Sequence, residues 1–355
     1  MTNKHQRKLD HIEHCSDERA RFRSHAGLFD DFQFVHNALP ELAMNEVQTA
    51  TRLLDSNLAA PIMVTGMTGG PESAGEINRA IAQVCDSLGL AFGVGSQRLL
   101  TRTPEDVDTF AVRGVAPDVV LFGNVGVNQA RDLGVAKVRH LMDVIEADYM
   151  AIHLNPAMEL AQPGSDADSN FKDGYDTIGR LVDALDGRVL VKECGCGIGP
   201  HQVRRLAGIG VRAIDVSGSG GTSWVKVEAL RAEGQLKALG ETFSEWGIPT
   251  LAATALASRV TDVHIIASGG VDDGLKVAKA IASGAQVAGL ARPVLQAFLR
   301  DGVDGARAYL ETIIAGLRVA MALTASKEPG DLRQRPRLVT GRLRDWLAMD
   351  ADGQR

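Results

Sequence analysis

The chain has 355 residues, of which 45% are apolar and only 5% aromatic, with 38 glycines. That composition suits aliphatic strands wrapped by Ala-rich helices around one large core, and it argues against a β-sandwich or a disordered chain. A formal net charge of −6 argues against the diffuse phosphate attraction that nucleic-acid binders use, so an anionic ligand would be small and held by a few placed Arg and Lys side chains.

Residues 1–15 mix basic and acidic side chains and contain no apolar leader segment, so a cytoplasmic protein is expected. No apolar run approaches the roughly 18 residues of a membrane span. Residues 1–60 read as an N-terminal extension that contributes to the substrate site, with a weak helix over 43–54. Beyond it, short apolar, β-branched segments recur at 61–66, 90–94, 118–123, 149–154, 188–192, 212–216, 263–267 and 286–290. Their near-continuous apolar character fits parallel strands covered on both faces.

The stretches between them carry helical periodicity. In 74–88, Ile77, Ala80, Ile81, Val84, Cys85 and Leu88 follow the i, i+3, i+4 pattern and leave Asn78, Arg79 and Asp86 outside. Eight strands, each followed by a helix, predict an α/β fold: a closed (β/α)8 TIM barrel over 61–345 with an N-terminal extension. The alternative is a doubly wound open sheet. Connections 155–187 and 217–262 are long enough to hold lids or ligand contacts, and 346–355 reads as a polar tail. Cys15, Cys85, Cys194 and Cys196 lack the spacing of zinc or redox sites and read as reduced packing residues.

A barrel places its chemistry on the loops after the strands. After the seventh strand comes ASGGVDDG (267–274), and after the eighth GLAR (289–292). Together they form the recurrent phosphate site of this fold, in which backbone N–H groups and helix N-termini face an anion. The sixth-strand loop SGSGGTSW (217–224) is a second glycine cluster, and VTGMTGG (64–70) places small residues where a flat ring could lie against backbone. Polar residues in GSQR (95–98), Gly123-Asn124, HLN (153–155) and Lys192-Glu193 sit at the ends of strands two to five, where a barrel core has no use for them.

Taken in order, Arg7-Lys8 with His11, FQFVHNALPE (32–41), TGMTGG, GSQR, HLN, VSGSGGTSW and WGIPT (246–250) resemble the type 2 isopentenyl diphosphate isomerases over residues 5 to about 325. The resemblance implies a (β/α)8 homo-oligomer that uses reduced FMN, with NAD(P)H as reductant, and Mg2+. Its partner would be a small prenyl diphosphate, with no nucleic acid and no membrane span. Carried over position by position, FMN would contact Thr65, Gly66, Met67, Ser96, Asn124, Lys192, Thr222, Gly269, Gly270 and Ala291. The diphosphate would be held by Arg7, Lys8, His11, Arg98, His153 and Asn155, and the metal by Glu159.

One position departs from the family. Where its motif has Gln before the metal-binding Glu, this chain has Met158 before Glu159, and the Pro-Glu-Gly-Asp segment that follows is replaced over 164–170. The resemblance places His153, Met158 and Glu159 at the reacting end, with the family Gln implicated in proton transfer. A thioether is apolar and polarizable and relays no proton. Two expectations follow: interconversion of isopentenyl and dimethylallyl diphosphate, or the same protonation turned to cyclisation or rearrangement of a longer prenyl chain. Further rivals are an FMN-dependent dehydrogenase, which would need a base or nucleophile not visible here, and a non-catalytic flavoprotein.

Overall fold

The computed structural model describes residues 14, 17–101, 103–162 and 168–349. Arg7, Lys8, His11, Cys15, most of the altered segment 164–170 and the end of the polar tail lie outside the described residues.

Eight parallel strands close on themselves: β1 (Ile62–Val64), β2 (Ala91–Gly93), β3 (Val120–Gly126), β4 (Tyr149–Leu154), β5 (Val189–Glu193), β6 (Ala213–Asp215), β7 (His264–Ser268) and β8 (Val287–Leu290). Closure comes from β8 pairing with β1, Ala288 opposite Ile62. The open-sheet alternative is therefore excluded, and all eight strands lie at the segments expected from sequence. Their outward residues, such as Ile62, Val64, Leu121, Val189, Val191 and Ile214, pack against the helical ring, as two-face burial requires. Inward residues, among them Met63, Phe122, Ala151, Leu190, Ile266 and Val287, fill the barrel. Helices interleave with the strands, and no helix among the described residues is long and apolar enough to cross a membrane.

Two local expectations are corrected. The first concerns 43–54, which is no helix: a 3-10 turn at Met44–Glu46 is followed by a hairpin, Thr51–Leu53 against Ser56–Leu58. Leu54 turns it with φ 54, and Leu53, Leu54 and Leu58 join the inward side chains as a plug under the barrel. Burial of three leucines overrides a weak helical preference. The plug is tied in place by Leu54 N–H donating to His264 Nδ1 at 2.9 Å and Asp55 N–H donating to Tyr149 Oη at 3.1 Å. The second concerns Asn78 of helix Glu72–Ser87, expected outside but buried. Its Nδ2 donates to Thr68 O at 3.2 Å and Thr109 O at 2.8 Å, so an amide that would be costly alone is satisfied while it pins the β1 loop.

At the other terminus, helix Gly341–Leu347 runs into the stretch expected to be tail, and strand Arg337–Val339 pairs antiparallel with Phe32–Phe34 of the extension. The long 217–262 connection carries helices Trp224–Arg231, Gly234–Thr242 and Thr250–Ser258.

The plug generates a pH prediction. Burial, then Arg212, Arg52 and Arg333, holds His264 below the ordinary histidine range, and its Nδ1 must be unprotonated to accept the Leu54 N–H. A histidine depressed in the folded state contributes stability that is present above its unfolded pKa of about 6.5 and is lost as pH falls toward the folded value. Thermal unfolding between about pH 7.5 and 5 should show a fall in melting temperature that flattens in His264→Asn.

Candidate functional site

Side chains alternate in and out along a strand, so the inward layer above the apolar one is fixed two residues further on. That layer consists of Thr65 beyond β1, Asn124 on β3, His153 on β4, Lys192 on β5, Asp215 on β6 and Ser268 on β7, with glycines at 93 and 289. The barrel thus changes from hydrocarbon to polar groups and bare backbone at the C-terminal ends of its strands. Register joins the layer laterally: His153 stands opposite Lys192, and Lys192 opposite Asp215.

These groups hold one another. Asn124 Nδ2 donates to Val94 O at 3.1 Å, leaving its Oδ1 to accept the Nδ1 proton of His153 at 2.9 Å. Gln97 Oε1 in turn accepts Asn124 N–H at 2.9 Å. Lys192 Nζ donates to Glu193 O at 2.7 Å and to Cys194 Sγ at 3.6 Å. Burial alone pushes Lys192 down, and the nearby Cys194, Asp215 and Glu193 more than offset it, so its ammonium stands above the usual lysine range. Burial drives Glu193 up to about 7 although its Oε2 accepts the N–H groups of Cys194 and Cys196. The thiols of buried Cys85 and of half-buried Cys194 and Cys196 are free, and desolvation pushes each above its usual range; Cys85 packs in the core, whereas Cys194 lines the cavity above the layer.

Above the layer lies a cavity of about 180 Å³. Of the ten expected cofactor positions it brings together Thr65, Gly66, Met67, Lys192, Thr222, Gly269, Gly270 and Ala291. Asn124 lies just below, beside a small interior gap that it shares with Gly66 and Lys192. Ser96, half-buried after β2, lines neither space. Helix Arg292–Leu323 starts at the cavity wall with no side-chain cap on its N-terminus; Pro293 has no N–H and the Val294 N–H donates to Ala291 O, so the Arg292 N–H is the first-turn donor left for an anion.

Two glycine loops form the far wall. Gly269 has φ +103, and a Cβ there would collide with the Gly218 carbonyl; a Cβ on Gly221 would stand 2.6 Å from Gly270 N. The β6 and β7 loops touch through backbone, and Thr250 Oγ1 clasps them by donating to Gly269 O at 2.5 Å.

Some site residues escaped the sequence reading. Thr68, within TGMTGG, lines the cavity, and its buried Oγ1 has no hydrogen-bond partner. Arg21 reaches the cavity from the extension, which is stitched to the β6 loop by Phe22 N–H to Gly221 O at 3.0 Å and Ser223 N–H to Ala20 O at 2.8 Å. Ser217 and Ser268 also line it. For the serines and Asp215 the signal was present, because continuing the two-residue period past the apolar segments names them.

A second group stands on the turn after β4. Asn155 precedes helix Pro156–Ala161, and its Nδ2 donates to Glu159 Oε1 at 3.0 Å and lies 3.8 Å from Met158 Sδ. Glu159 is buried, and its other oxygen accepts Asp168 N–H at 2.9 Å. Among the described residues no three His, Cys, Asp or Glu side chains converge as a metal cage. Arg98 lies half-buried in a 3-10 turn, Gln97–Thr101, away from the cavity wall. Asn155 also lines a larger, open and mainly apolar groove of about 1300 Å³ bordered by Tyr175 and by the solvent-exposed Leu160, Phe171, Phe243 and Trp246.

Residues 154–339 match the family model described as FMN-dependent dehydrogenase. The chain is 39% identical to the isopentenyl-diphosphate delta-isomerase of Pyrococcus furiosus, covering 98% of this chain and 90% of that one. It is 40% identical to the protein of that name from Nostoc sp., covering 92% and 93%, and 41% identical to that of Metallosphaera sedula, covering 96% and 94%. Among solved structures it superposes on a flavocytochrome b2 mutant with a TM-score of 0.70 at 17% identity, covering 93% and 83% of the two chains. It also superposes on a lactate oxidase of Pediococcus acidilactici with a TM-score of 0.68 at 16% identity, covering 95% and 93%. Those two likenesses are of fold. With relatives near 40% identity along almost its whole length and a barrel of the FMN-dependent type, the chain belongs to the type 2 isopentenyl-diphosphate delta-isomerase family of enzymes.

Proposed function

We propose that this protein binds FMN across the barrel mouth and, with Mg2+, interconverts isopentenyl and dimethylallyl diphosphate. The observation that carries the reading is the meeting of eight expected cofactor positions, from five different strand ends, on one cavity. The lining suits the group: touching glycine loops and a bare helix N-terminus for a phosphate, a buried cation at Lys192, and the unpartnered Thr68 Oγ1 for a polar ring edge. When bound and reduced, by NAD(P)H in this reading, the flavin supplies acid–base chemistry at its N5 edge.

The chain's own residues do the rest. His153, fixed by Asn124, and Asn155 offer donors to the diphosphate, and Arg98, Arg7, Lys8 and His11 complete its charge compensation in a cytoplasmic homo-oligomer. Glu159 would hold the metal, and a lone carboxylate suits Mg2+, a hard cation that prefers oxygen ligands and would supply charge compensation to the diphosphate. Asn155 Nδ2 orients that carboxylate at 3.0 Å.

A second reading rests on the larger groove. Its aromatic and aliphatic walls reach Asn155, itself in contact with Met158 and Glu159. Such a space accommodates a longer hydrocarbon, and aromatic faces stabilise a cation formed along it. In this reading the apolar Met158 belongs with protonation-initiated cyclisation or rearrangement of a longer prenyl diphosphate.

Gly269→Val should lose FMN, because no Cβ fits against Gly218; flavin absorbance after incubation with excess FMN and desalting checks this. A wild-type protein that retains no flavin would remove the cofactor reading altogether. Glu159→Gln should raise the Mg2+ concentration needed for half-maximal turnover by tenfold or more, on the order of one lost charged ligand. Identical magnesium titrations for the two proteins would free Glu159 of the metal. Met158→Gln should raise deuterium uptake from heavy water into five-carbon diphosphates by about 10²-fold, the lower end for a general acid–base group. If ten- or twenty-carbon diphosphates turn over faster than five-carbon ones in the unaltered protein, the second reading replaces the first.

A further inference from the structure

Asp215 has no part in the chemistry described so far, yet it is fully enclosed in the polar layer. It faces Lys192 in register across β5 and β6. Its Oδ1 accepts Ser268 Oγ at 2.7 Å and Ser217 N–H at 3.0 Å, while Oδ2 has no hydrogen-bond partner. Ser217 is held at φ 39, a left-handed conformation that a non-glycine residue adopts only when its surroundings impose it. Lys192, Ser217 and Ser268 all line the mouth cavity. Asp215 therefore touches or faces three strand ends of its floor from beneath. It also borders, with Lys192, Thr65, Gly66 and Asn124, an interior gap of about 10 Å³.

A buried carboxylate with an unpartnered oxygen is strongly unfavourable unless a cation compensates it, and a buried ammonium is in the same position. The charged or titratable groups that face Lys192 are Glu193 and Cys194 on its own strand, His153 in register on β4, and Asp215 in register on β6. Glu193 is occupied by the backbone of the loop after it, its Oε2 accepting two N–H groups. Cys194 is a thiol that burial keeps protonated. Burial holds the Asp215 carboxyl above the ordinary carboxylate range, against the opposing pull of Lys192 and of the Ser268 and Ser217 donors.

We propose that Asp215 is a positioning residue whose buried carboxylate, in register with Lys192 but not hydrogen-bonded to it, favours the cationic form of Lys192 on the floor of the cofactor cavity. This rests on the FMN reading for its purpose, since a cation at that place favours negative charge on a reduced ring, but its physical core concerns two residues of this chain. With Asp215 neutralised, burial works against the ammonium with less to oppose it, and Lys192 would give up its proton at a lower pH.

Asp215→Asn keeps the shape and an oxygen for Ser268 and Ser217 while it removes the charge. The first measurement uses flavin-free protein with lysines labelled at 13Cε, the Lys192 signal being assigned by its loss in Lys192→Arg. Expected is a Lys192 titration moved to lower pH by one unit or more in Asp215→Asn, that is, at least tenfold in proton affinity. The second, on protein loaded with FMN, follows midpoint potential against pH and should gain a break at that same pH. A Lys192 titration that coincides in the two proteins overturns the proposal, whatever happens to melting temperature. Should wild type take up no FMN while the titration still moves, the cofactor reading fails and the Asp215–Lys192 coupling stands. If Asp215→Asn folds poorly, the double variant Asp215→Asn with Lys192→Met decides: recovery of melting temperature above both single variants supports a charge pair, and additive losses refute it.

Discussion

The two-residue period of a β-strand is the constraint on which this molecule turns. Because the barrel is closed, every strand must send alternate side chains into one enclosed space. One inward layer is hydrocarbon from Met63 round to Val287. The next has no room for bulk and has a cavity above it, so it is Thr, Asn, His, Lys, Asp, Ser and two glycines. Fold and site are therefore one pattern read at two heights. A one-residue slip in β5 would put Lys192 against the helical ring and Val191 at the mouth.

The wall of the cavity obeys a different rule, that of close backbone approach. Gly218, Gly220, Gly221, Gly269 and Gly270 let two loops meet without side chains between them, and the extension then lies over the junction through Phe22 and Ser223. This brings Arg21, some 250 residues away in sequence, to within 3.4 Å of Asp272 beside the same cavity. The extension is thus part of the barrel's mouth, and its other end is anchored by the Phe32–Phe34 pairing with Arg337–Val339.

Much of this was legible in the sequence, and what was not has physical reasons. Parallel strands buried on both faces leave uninterrupted apolar runs such as Val-Val-Leu-Phe, so all eight strands stood out. Thr65 and Gly66 stood out because a motif of the resemblance contains them, Lys192 because it is a polar residue at a strand end, and Gly269 and Gly270 because they lie in the glycine loop after the seventh strand. Asp215 did not, since it ends a strand and was taken with its apolar neighbours, and Ser268 was read only as part of the glycine loop after the seventh strand. The 51–58 hairpin was hidden because its leucines serve a tertiary plug that local periodicity does not encode. Asn78 was hidden because a polar residue on a helix reads as exposed until both of its acceptor carbonyls, from distant loops, are in view. Arg21 offered no local signal at all.

The departure at Met158 acquires its meaning from helix geometry. Asn155, Met158 and Glu159 are spaced i, i+3 and i+4 across the first turn of helix Pro156–Ala161, so the three share a face. Asn155 touches both of the others, at 3.0 Å from Glu159 and 3.8 Å from Met158. Exchange of an amide for a thioether at the middle position therefore leaves the carboxylate, its orienting donor and the Asp168 N–H contact intact. What changes is the character of the surface beside them, from one that can pass a proton to one that only packs. In the proposed reading, anchoring of a diphosphate and handling of a proton are separable because they are assigned to adjacent residues of one turn, and the substitution would alter the second while sparing the first.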